Sequence, residues 1–279
     1  MQIDGNTQLV GIIAAPIAHV RTPQLFNASV ARQGLNAACV PFHVDSAQLQ
    51  AFLAGAPASQ NLQGLVVTIP HKEAVVAACG ELTETARLVG SVNAMRFDRE
   101  KGHWTGGNFD GDGFVAGLRE RGHSLAGKRV LQLGAGGAGK SMAYAIAREN
   151  PAELVIHNRS ADKAAELAAS LKKALPSISI RAGDGNPAGF DVVVNATALG
   201  LRDTDATPVP AQLLSAGTLV CEAVVRDGDT PLLKAAREQG CTVHHGQWML
   251  YGQIVEISRF LGVPLAPEFV ERILGPDGE

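Results

Sequence analysis

The amino-acid sequence predicts an α/β protein built from two domains. Short apolar runs alternate with stretches of helical character along nearly the whole chain, and this alternation is typical of sheets covered by helices. A length of 279 residues is enough for two domains of ordinary size. Near the middle of the chain, a glycine-rich turn at residues 134–139 separates an apolar run from a helical one. That arrangement is typical of the first strand and helix of a parallel, doubly wound sheet.

The first 107 residues predict an α/β domain of their own. Apolar runs predict strands at residues 8–14, 37–44 and 64–68, and a pair of short strands at 91–97 and 103–105. Helices are predicted at residues 22–32, 47–53, 72–79 and 83–89. In the first helix, Thr22 is expected to be the N-cap, Pro23 the first helical residue and Gly34 the stop.

The second predicted domain, residues 108–245, has the pattern of a Rossmann-like sheet of parallel strands. Its strands are predicted at residues 130–133, 154–157, 178–181, 191–195, 218–221 and 242–244. Its helices are predicted at residues 109–121, 140–148, 161–175 and 231–239. The remaining segment, residues 246–279, contains an apolar helix at 248–261 that is expected to return to the first domain.

Composition argues against several classes of protein. A net charge of −3 gives no basis for binding nucleic acid or an anionic membrane. No apolar run approaches the ~20 residues of a membrane span, and the N-terminus does not resemble a signal peptide. The four cysteines are far apart, which predicts free thiols in a cytoplasmic protein. No metal site is expected, since His244 and His245 would point to opposite faces of a strand.

The glycine turn fits two motifs that predict different proteins. Gly134, Gly136 and Gly139 fit the dinucleotide pattern GxGxxG. The same turn followed by Lys140 and Ser141 fits the P-loop pattern GxxxxGKS. Either motif brings backbone N–H groups and the positive end of a helix dipole to a point suited to phosphate. A purely structural glycine turn is the third interpretation.

The flanking sequence favours the dinucleotide interpretation. A P-loop enzyme needs an acidic residue at the end of an apolar strand to hold magnesium, and Glu222 is the best but a poor candidate. A dinucleotide fold needs a second strand that ends about 20 residues beyond the turn, and residues 154–157 supply it. The alternative, a P-loop ATPase, predicts magnesium-dependent binding of ATP.

The residues after that second strand bear on the choice of cofactor. Asn158, Arg159 and Ser160 follow the strand, and Lys163 lies one turn into the next helix. An arginine here favours the 2′-phosphate of NADP, whereas an acidic residue favours NAD. Asp162 is nearby, but it is expected to interact with the helix dipole. The sequence therefore favours NADP, with NAD possible.

A lysine and an aspartate are the candidates for proton transfer. Lys72 follows a predicted strand through a turn, and Asp110 lies at the junction of the two domains. Taken singly, each is more typical of a solvated side chain or a helix cap. A dehydrogenase acting on an alcohol needs a group that takes the hydroxyl proton, and a lysine paired with a carboxylate can do so.

Short sequence blocks along nearly the whole chain point to one family. Those in the first domain are residues 15–19 with Thr22, Pro23 and Asn27, then 67–72, 90–93 and 107–111. Those that follow are residues 134–138, 158–160, 195–200, 230–233, 246–250 and Gln253. In content and order these blocks resemble the shikimate dehydrogenase family. The resemblance implies a reversible NAD(P)-linked oxidation of a ring hydroxyl, as in shikimate to 3-dehydroshikimate, and argues against ATP.

The resemblance also implies roles for individual residues. Lys72 and Asp110 would be the catalytic pair. Substrate contacts would come from Thr22, Thr68, Asn93 and Gln253. The cofactor would be bound by Gly134, Ala135, Gly136, Gly137, Ala138, Asn158, Arg159, Ser160, Ala196, Thr197, Val224 and Gly246.

The chain departs from the family pattern around the substrate. Val20 and Thr22 stand where the family has two serines that hold the substrate carboxylate, and valine cannot donate a hydrogen bond. Val66 replaces an asparagine, Phe109 a threonine and Val225 a tyrosine. Each lost donor to a charged ligand would cost ~1.5–3 kcal/mol of binding free energy.

These departures leave the substrate open. Arg21 is hypothesised to restore a contact with a carboxylate, because guanidinium suits that group. The expected partner is a small hydroxy acid, bound by a monomer or homodimer. Quinate or another hydroxy acid is the first alternative substrate. A non-catalytic dinucleotide-binding sensor is the second alternative, although a sensor would have no need of both Lys72 and Asp110.

Overall fold

The structure, a computed structural model, describes residues 2–18, 20–226 and 228–274. The chain divides into two compact units: one extends to Phe109 and resumes at Ile254, and the other is Asp110–Gln253. His19 of the first family block and residues 275–279 of the predicted C-terminal segment lie outside the described residues.

The first unit contains a mixed sheet of six strands. They are β1 (Gln8–Ala14), β2 (Ala37–His43), β3 (Leu62–Val67), β4 (Cys79–Leu82), β5 (Ala94–Asp98) and β6 (His103–Gly107). Their order across the sheet is β2-β1-β3-β5-β6-β4. β1 is parallel to β2 and β3, whereas β5 is antiparallel to β3 and β6. The loops that leave β1 and β3 therefore begin at the same edge of the sheet.

Three helices lie in the first half of this unit: α1 (Thr22–Gln33), α2 (Leu49–Gly55) and α3 (Glu84–Val89). On one face of the sheet, Leu65 and Val67 of β3 pack into an apolar cluster with Leu53 of α2 and Trp104. Because side chains alternate along a strand, Val66 and then Thr68 point to the opposite face. Val66, which departs from the family pattern, and the predicted substrate residue Thr68 thus share a face that is separate from this core.

The start of α1 corrects one prediction. Thr22 is the first residue of the helix rather than its N-cap, and Arg21 occupies the N-cap position. Proline is tolerated throughout the first turn because the N–H groups there have no partner within the helix. Pro23 therefore does not fix the helix start to a single residue.

A second prediction, the helix at residues 72–79, is wrong. The chain instead forms a short 3-10 turn, Ala74–Ala78, and then strand β4. Cys79 and Leu82 of β4 pair with Trp104 and Gly106 of β6. The apolar run at residues 74–78 has no clear period of its own and forms only the 3-10 turn, and pairing with β6 makes a strand of the residues that follow.

The second unit contains six strands, and all neighbouring strands are parallel. They are β7 (Arg129–Leu133), β8 (Glu153–His157), β9 (Ile180–Ala182), β10 (Val192–Asn195), β11 (Leu219–Glu222) and β12 (Thr242–His244). The order is β12-β11-β10-β7-β8-β9. The direction of winding reverses between β7 and β10, which is where doubly wound sheets bind ligands. The predicted Rossmann-like sheet is confirmed.

Helices α4 (Asp110–Glu120), α5 (Gly137–Arg148), α6 (Ala161–Ala174) and α7 (Pro231–Glu238) belong to this unit. α4 approaches α5 so closely that a Cβ atom on Gly111 would overlap the carbonyl oxygen of Ser141. The Gly111 N–H also donates to Ser141 Oγ at 2.8 Å. This contact fixes the first turn of α4, which begins with Asp110.

The chain continues with α8 (Gln247–Phe260) and α9 (Pro267–Leu274). The division between the units falls within α8, after Gln253. In the first unit, α9 packs against α1, and the Ala266 N–H donates to Gln33 Oε1 at 3.0 Å. None of the described helices is both long and apolar enough to cross a membrane.

Candidate functional site

The glycine turn after β7 is shaped by close backbone contacts. Gly134 has a φ of +104°, and a Cβ atom there would lie 2.7 Å from the carbonyl oxygen of Ala196. A Cβ atom on Gly139 would lie 2.5 Å from the carbonyl oxygen of Gly134. α5 begins at Gly137, three residues earlier than the predicted start at Lys140, because the turn itself forms the first helical residues.

A buried glutamine holds this turn together. Gln132 of β7 donates from Nε2 to the carbonyl oxygens of Gly134 at 2.9 Å and Gly139 at 2.7 Å. Sequence reasoning did not identify Gln132 as part of the site. The available signal was a single polar residue inside an otherwise apolar strand.

The N-terminus of α5 is open to a ligand. Gly136 is its N-cap, and no side chain among the described residues caps it. Cβ atoms added to Gly136 and Gly137 would meet nothing within 4 Å. The first-turn N–H groups, which include those of Gly137 and Ala138, have no partner within the helix. The residues present therefore fit an anionic group such as the pyrophosphate of a dinucleotide.

The residues after β8 form the next part of this edge. Asn158 Oδ1 accepts from the Ala135 N–H at 3.1 Å, and its Nδ2 donates to the Ser160 carbonyl oxygen at 3.1 Å. Arg159 and Ser160 are exposed. The side-chain amide of Asn158 is thus hydrogen-bonded within these two loops. The exposed guanidinium of the next residue, Arg159, can reach a phosphate group.

The remaining predicted cofactor residues lie on the other side of β7. Ala196 and Thr197 follow β10, and the Ala196 N–H donates to the Leu133 carbonyl oxygen at 2.8 Å. A Cβ atom on Gly246 would overlap the carbonyl oxygen of Val224. The structure therefore brings the predicted cofactor residues to one edge of the second sheet. Their roles in binding stay a prediction.

Asp110 is held by the predicted substrate residue Gln253. Asp110 is buried, and its Oδ1 accepts a hydrogen bond from Gln253 Nε2. A Cβ atom on Gly113 would overlap the backbone of Gln253, so glycine allows α8 to approach α4. Gln253 therefore fixes the orientation of the Asp110 carboxyl group.

In the first unit, backbone bonds hold Lys72 and Asn93 near each other. The Val92 N–H donates to the Lys72 carbonyl oxygen at 2.8 Å. The next residue, Asn93, is buried, and its Oδ1 accepts from the Phe109 N–H at 3.0 Å. Phe109 directly precedes Asp110 in the chain, so Asn93 restrains the residue next to the predicted catalytic carboxylate.

A second group of predicted substrate residues follows β1 and β3. Thr68 leaves β3, and its N–H donates to the Ile13 carbonyl oxygen at 3.2 Å. Thr22 and Arg21 lie at the start of α1, half-buried and exposed respectively. His71 was not among the predicted residues, yet it is fully buried and its Nε2 bonds to the Val44 carbonyl oxygen at 2.7 Å. That bond anchors the turn that carries Lys72.

Three of the replaced family positions carry apolar side chains on this unit. Val66 is buried, and Val20 is half-buried. The Phe109 ring packs against Phe260 with 5.1 Å between centroids. These three departures are therefore packed at least partly into the fold, whereas the fourth, Val225, is exposed.

The described part of the chain contains no group of three or more His, Cys, Asp or Glu side chains that could hold a metal ion.

Comparisons with known proteins agree with this architecture. The family model for the shikimate dehydrogenase substrate binding domain matches residues 12–95, and that for shikimate / quinate 5-dehydrogenase matches residues 118–201. A shikimate dehydrogenase (NADP(+)) from Rubrobacter xylanophilus is 39% identical, over 99% of this chain and 99% of that protein.

Two crystal structures are also similar. Ligand-free 5-ketofructose reductase of Gluconobacter sp. strain CHM43 has a TM-score of 0.86 and 32% identity, covering 96% of this chain and 97% of that chain. Shikimate 5-dehydrogenase from Listeria monocytogenes, in complex with shikimate and NAD, has a TM-score of 0.88 and 29% identity, covering 99% of both chains.

The paired domains, the open helix N-terminus and these matches define the class of protein, an NAD(P)-dependent oxidoreductase. The dinucleotide interpretation of the glycine turn is confirmed over the P-loop interpretation. The chain belongs to the shikimate dehydrogenase family.

Proposed function

We propose that this chain catalyses the reversible NADP-linked oxidation of a ring hydroxyl, shikimate to 3-dehydroshikimate or a close analogue. The name of the Rubrobacter relative supports the reaction and the cofactor. The observation that carries the proposal is the buried Asp110, oriented by Gln253 and adjacent in the chain to a residue that Asn93 holds.

Lys72 and Asp110 are assigned to proton transfer at the substrate hydroxyl. The nicotinamide of bound NADP would accept or return the hydride. Asp110 is held at a fixed orientation by Gln253, and the turn carrying Lys72 is anchored by His71. A positioned lysine–carboxylate pair can take the hydroxyl proton during oxidation and give it back during reduction.

The cofactor would be held by the edge of the second sheet. The first-turn N–H groups at Gly137 and Ala138 would bind the pyrophosphate. Arg159 would bind the 2′-phosphate, because β8 is followed by an asparagine and an arginine rather than by an acidic residue. We assign Thr197 and Val224 to the nicotinamide half of the same edge. NAD is the second possible cofactor.

We also propose a small-molecule substrate, a monomer or homodimer as the active form, and a cytoplasmic location, to which the four free cysteines are suited.

A direct assay tests this function. Purified protein is mixed with shikimate or quinate and with NADP or NAD, and reduction is followed by NAD(P)H absorbance. Fastest reduction with shikimate and NADP is expected. Binding of NADPH, seen by fluorescence, without reduction in any of the four mixtures would contradict the proposed substrates while leaving the cofactor in place.

A second candidate substrate class is an uncharged polyol and its ketone. The observation that favours it is the set of apolar side chains, at Val20, Val66 and Phe109, where the family has polar ones. The Gluconobacter relative is named for the reduction of 5-ketofructose, which has no carboxylate. A pocket with fewer donors for a carboxylate would suit such a substrate better than an acid.

Reduction assays with NADPH separate the two classes. 5-Ketofructose, 3-dehydroshikimate and 3-dehydroquinate are compared by kcat/KM. In the paired variant Val20→Ser, Phe109→Thr, the preference for an acidic over an uncharged substrate should rise about tenfold or more. An unchanged preference would show that these positions do not select the substrate.

A further inference from the structure

A buried carboxyl group at the end of β11 links two loops of the proposed cofactor edge. Glu222 is fully buried and lies beside Asn195 in the register of β10 and β11. Neither residue was assigned a role in cofactor binding from the sequence. Their hydrogen bonds nevertheless reach Thr197 and Val224, two residues that are predicted to bind the cofactor.

The two oxygens of Glu222 accept hydrogen bonds from different elements. Thr230 Oγ1 donates to Oε1 at 2.7 Å, and Asn195 Nδ2 donates to Oε2 at 2.9 Å. The Val224 N–H donates to the same carboxyl group. Thr230 also caps α7, since its Oγ1 accepts from the Leu233 N–H at 3.2 Å. Glu222 thus joins the end of β10, the turn at Val224 and the start of α7.

Asn195 extends this anchoring to the loop after β10. Its Oδ1 accepts from the Thr197 N–H at 3.0 Å and from Thr197 Oγ1 at 2.7 Å. Its Nδ2 also donates to the Leu199 carbonyl oxygen at 2.9 Å. The loop in turn touches the glycine turn, where Ala196 lies against Gly134. A displaced Asn195 would therefore disturb the loop and the turn together.

We propose that Glu222 is a positioning residue of the dinucleotide site: it holds residues 195–200 and the turn at Val224 in the conformation that the cofactor needs, without touching the cofactor. The proposal rests on the proposed NADP-linked function. A carboxylate suits this position because all three groups that face it, from Thr230, Asn195 and Val224, are donors.

Burying the carboxyl group of Glu222 lowers the stability of the fold. Burial raises the pKa of Glu222 to about 7, which means that the ionised form is penalised by desolvation. Its partners are neutral donors, so no cation offsets that penalty in the contacts described here. A group that lowers stability while it organises ligand-binding loops is typical of a functional site.

The test is the variant Glu222→Gln. The variant replaces one acceptor oxygen by an NH2 group, so either the Asn195 amide meets another donor or the Thr230 hydroxyl must turn to accept, and the anchoring of the loops is weakened. The Kd for NADPH, measured by fluorescence titration, is expected to rise about tenfold. At saturating NADPH the kcat should fall by less than about threefold, because bound cofactor restores the competent loop conformation. Hydrogen–deuterium exchange of residues 196–200 should increase in the cofactor-free protein.

Thr218→Val is the matched control. Thr218 is buried beside the opposite end of β11, where its Oγ1 donates to the Phe190 carbonyl oxygen at 3.2 Å. The control also loses a buried hydrogen bond, so its Tm should fall, but its Kd for NADPH should stay within about twofold of wild type. Equal shifts of Kd in both variants would overturn the positioning role and leave Glu222 as a structural residue.

A second variant, Thr230→Val, removes the bond to Oε1 together with the side-chain cap of α7, and is used if Glu222→Gln does not fold. It should weaken NADPH binding in the same direction, and an unchanged Kd would overturn the proposal. If the wild-type protein does not bind NADPH, the proposed cofactor is overturned as well. If the wild-type protein binds NADPH and the variants bind it equally well, only the role of Glu222 is overturned.

Discussion

The two sheets differ in the groups that they offer to a ligand at the C-terminal ends of their parallel strands. In the second unit, backbone N–H groups at an open helix N-terminus are supported by a set of buried polar side chains, which comprises Gln132, Asn195 and Glu222. In the first unit, three positions predicted to lie near the substrate, where the family has polar side chains, carry Val20, Val66 and Phe109.

This difference shows which part of the function is tied to the fold. A phosphate bound by backbone N–H groups depends on the path of the chain and tolerates most changes of side chain. A carboxylate bound by side-chain donors is lost when the residue type changes. The cofactor class therefore follows from the architecture, whereas the substrate depends on a few side chains of the first unit.

Removing the chemistry of the first unit should give the largest effect. Lys72→Met is expected to lower kcat about a thousandfold, because it removes a proton-transfer group. NADPH affinity, which depends on the second unit, should not change. The matched control is Lys101→Met, since Lys101 is an exposed lysine of the same unit paired with Glu81. Full turnover in Lys72→Met would place proton transfer elsewhere.

The polar interior of the second unit predicts a pH effect on stability. Burial raises the pKa of Glu222 from 4.5 to about 7. Between these values the folded state keeps a proton that the unfolded state has lost, so stability falls as pH rises, by about 3 kcal/mol. Burial lowers the pKa of His244 from 6.5 to about 3. There the unfolded state binds the extra proton, so stability rises with pH, by about 5 kcal/mol.

These two effects oppose each other between pH 4.5 and 6.5, and single variants should separate them. In urea unfolding across that range, Glu222→Gln should become more stable with rising pH relative to wild type. His244→Phe should become less stable, while its ring keeps the edge-to-face packing against Phe114. Parallel pH profiles for all three proteins would contradict both assignments.

Changing one side chain of the second unit should alter the choice of cofactor but not the chemistry. Arg159→Gln is expected to raise the Kd for NADPH about thirtyfold, because it removes the cation assigned to the 2′-phosphate. The Kd for NADH should not change. Arg181→Gln is the control, because Arg181 is an exposed arginine of the same sheet that pairs with Glu153. An equal loss for NADPH and NADH would refute the assignment.

The smallest expected effect concerns Arg21, an exposed arginine at the start of α1 in the first unit. Arg21→Ala should raise KM for an acidic substrate about fivefold, since an exposed ion pair contributes little. KM for an uncharged substrate should stay the same. Arg32→Ala, in the last turn of the same helix, serves as the control. No change with an acidic substrate would remove Arg21 from the site.

Much of the fold could be predicted from local signals. Strands β1 and β12 have the predicted bounds, and α3 lies within the helix predicted at residues 83–89, with Thr83 as its N-cap. Local signals were not enough where the partner of a segment decides its structure. β4 was missed because its sequence, Cys79-Gly80-Glu81-Leu82, carries no strand pattern of its own, and only pairing with β6 settles its structure.

The site was predictable only in part. Spacing pointed to the glycine turn, but Lys72 and Asp110 are remote in sequence and were selected through the family resemblance. Gln132 was not singled out, and Glu222 was weighed only as a magnesium ligand of a P-loop, because a polar residue in an apolar strand gives no hint of its partner. Which amide meets which carboxylate depends on strand register, and register is a property of the assembled sheet.

The glycine turn contains two kinds of glycine, which are required for different reasons. Gly134 and Gly139 are required by the protein itself, because a side chain at either would strike the backbone. Gly136 and Gly137 face open space, so an alanine there would meet only an incoming ligand. A library screened for folding alone would therefore recover Gly134 and Gly139, and one screened for cofactor retention would recover all four glycines. Substitutions at Gly136 and Gly137 could therefore abolish or alter cofactor binding without changing the fold of the domain.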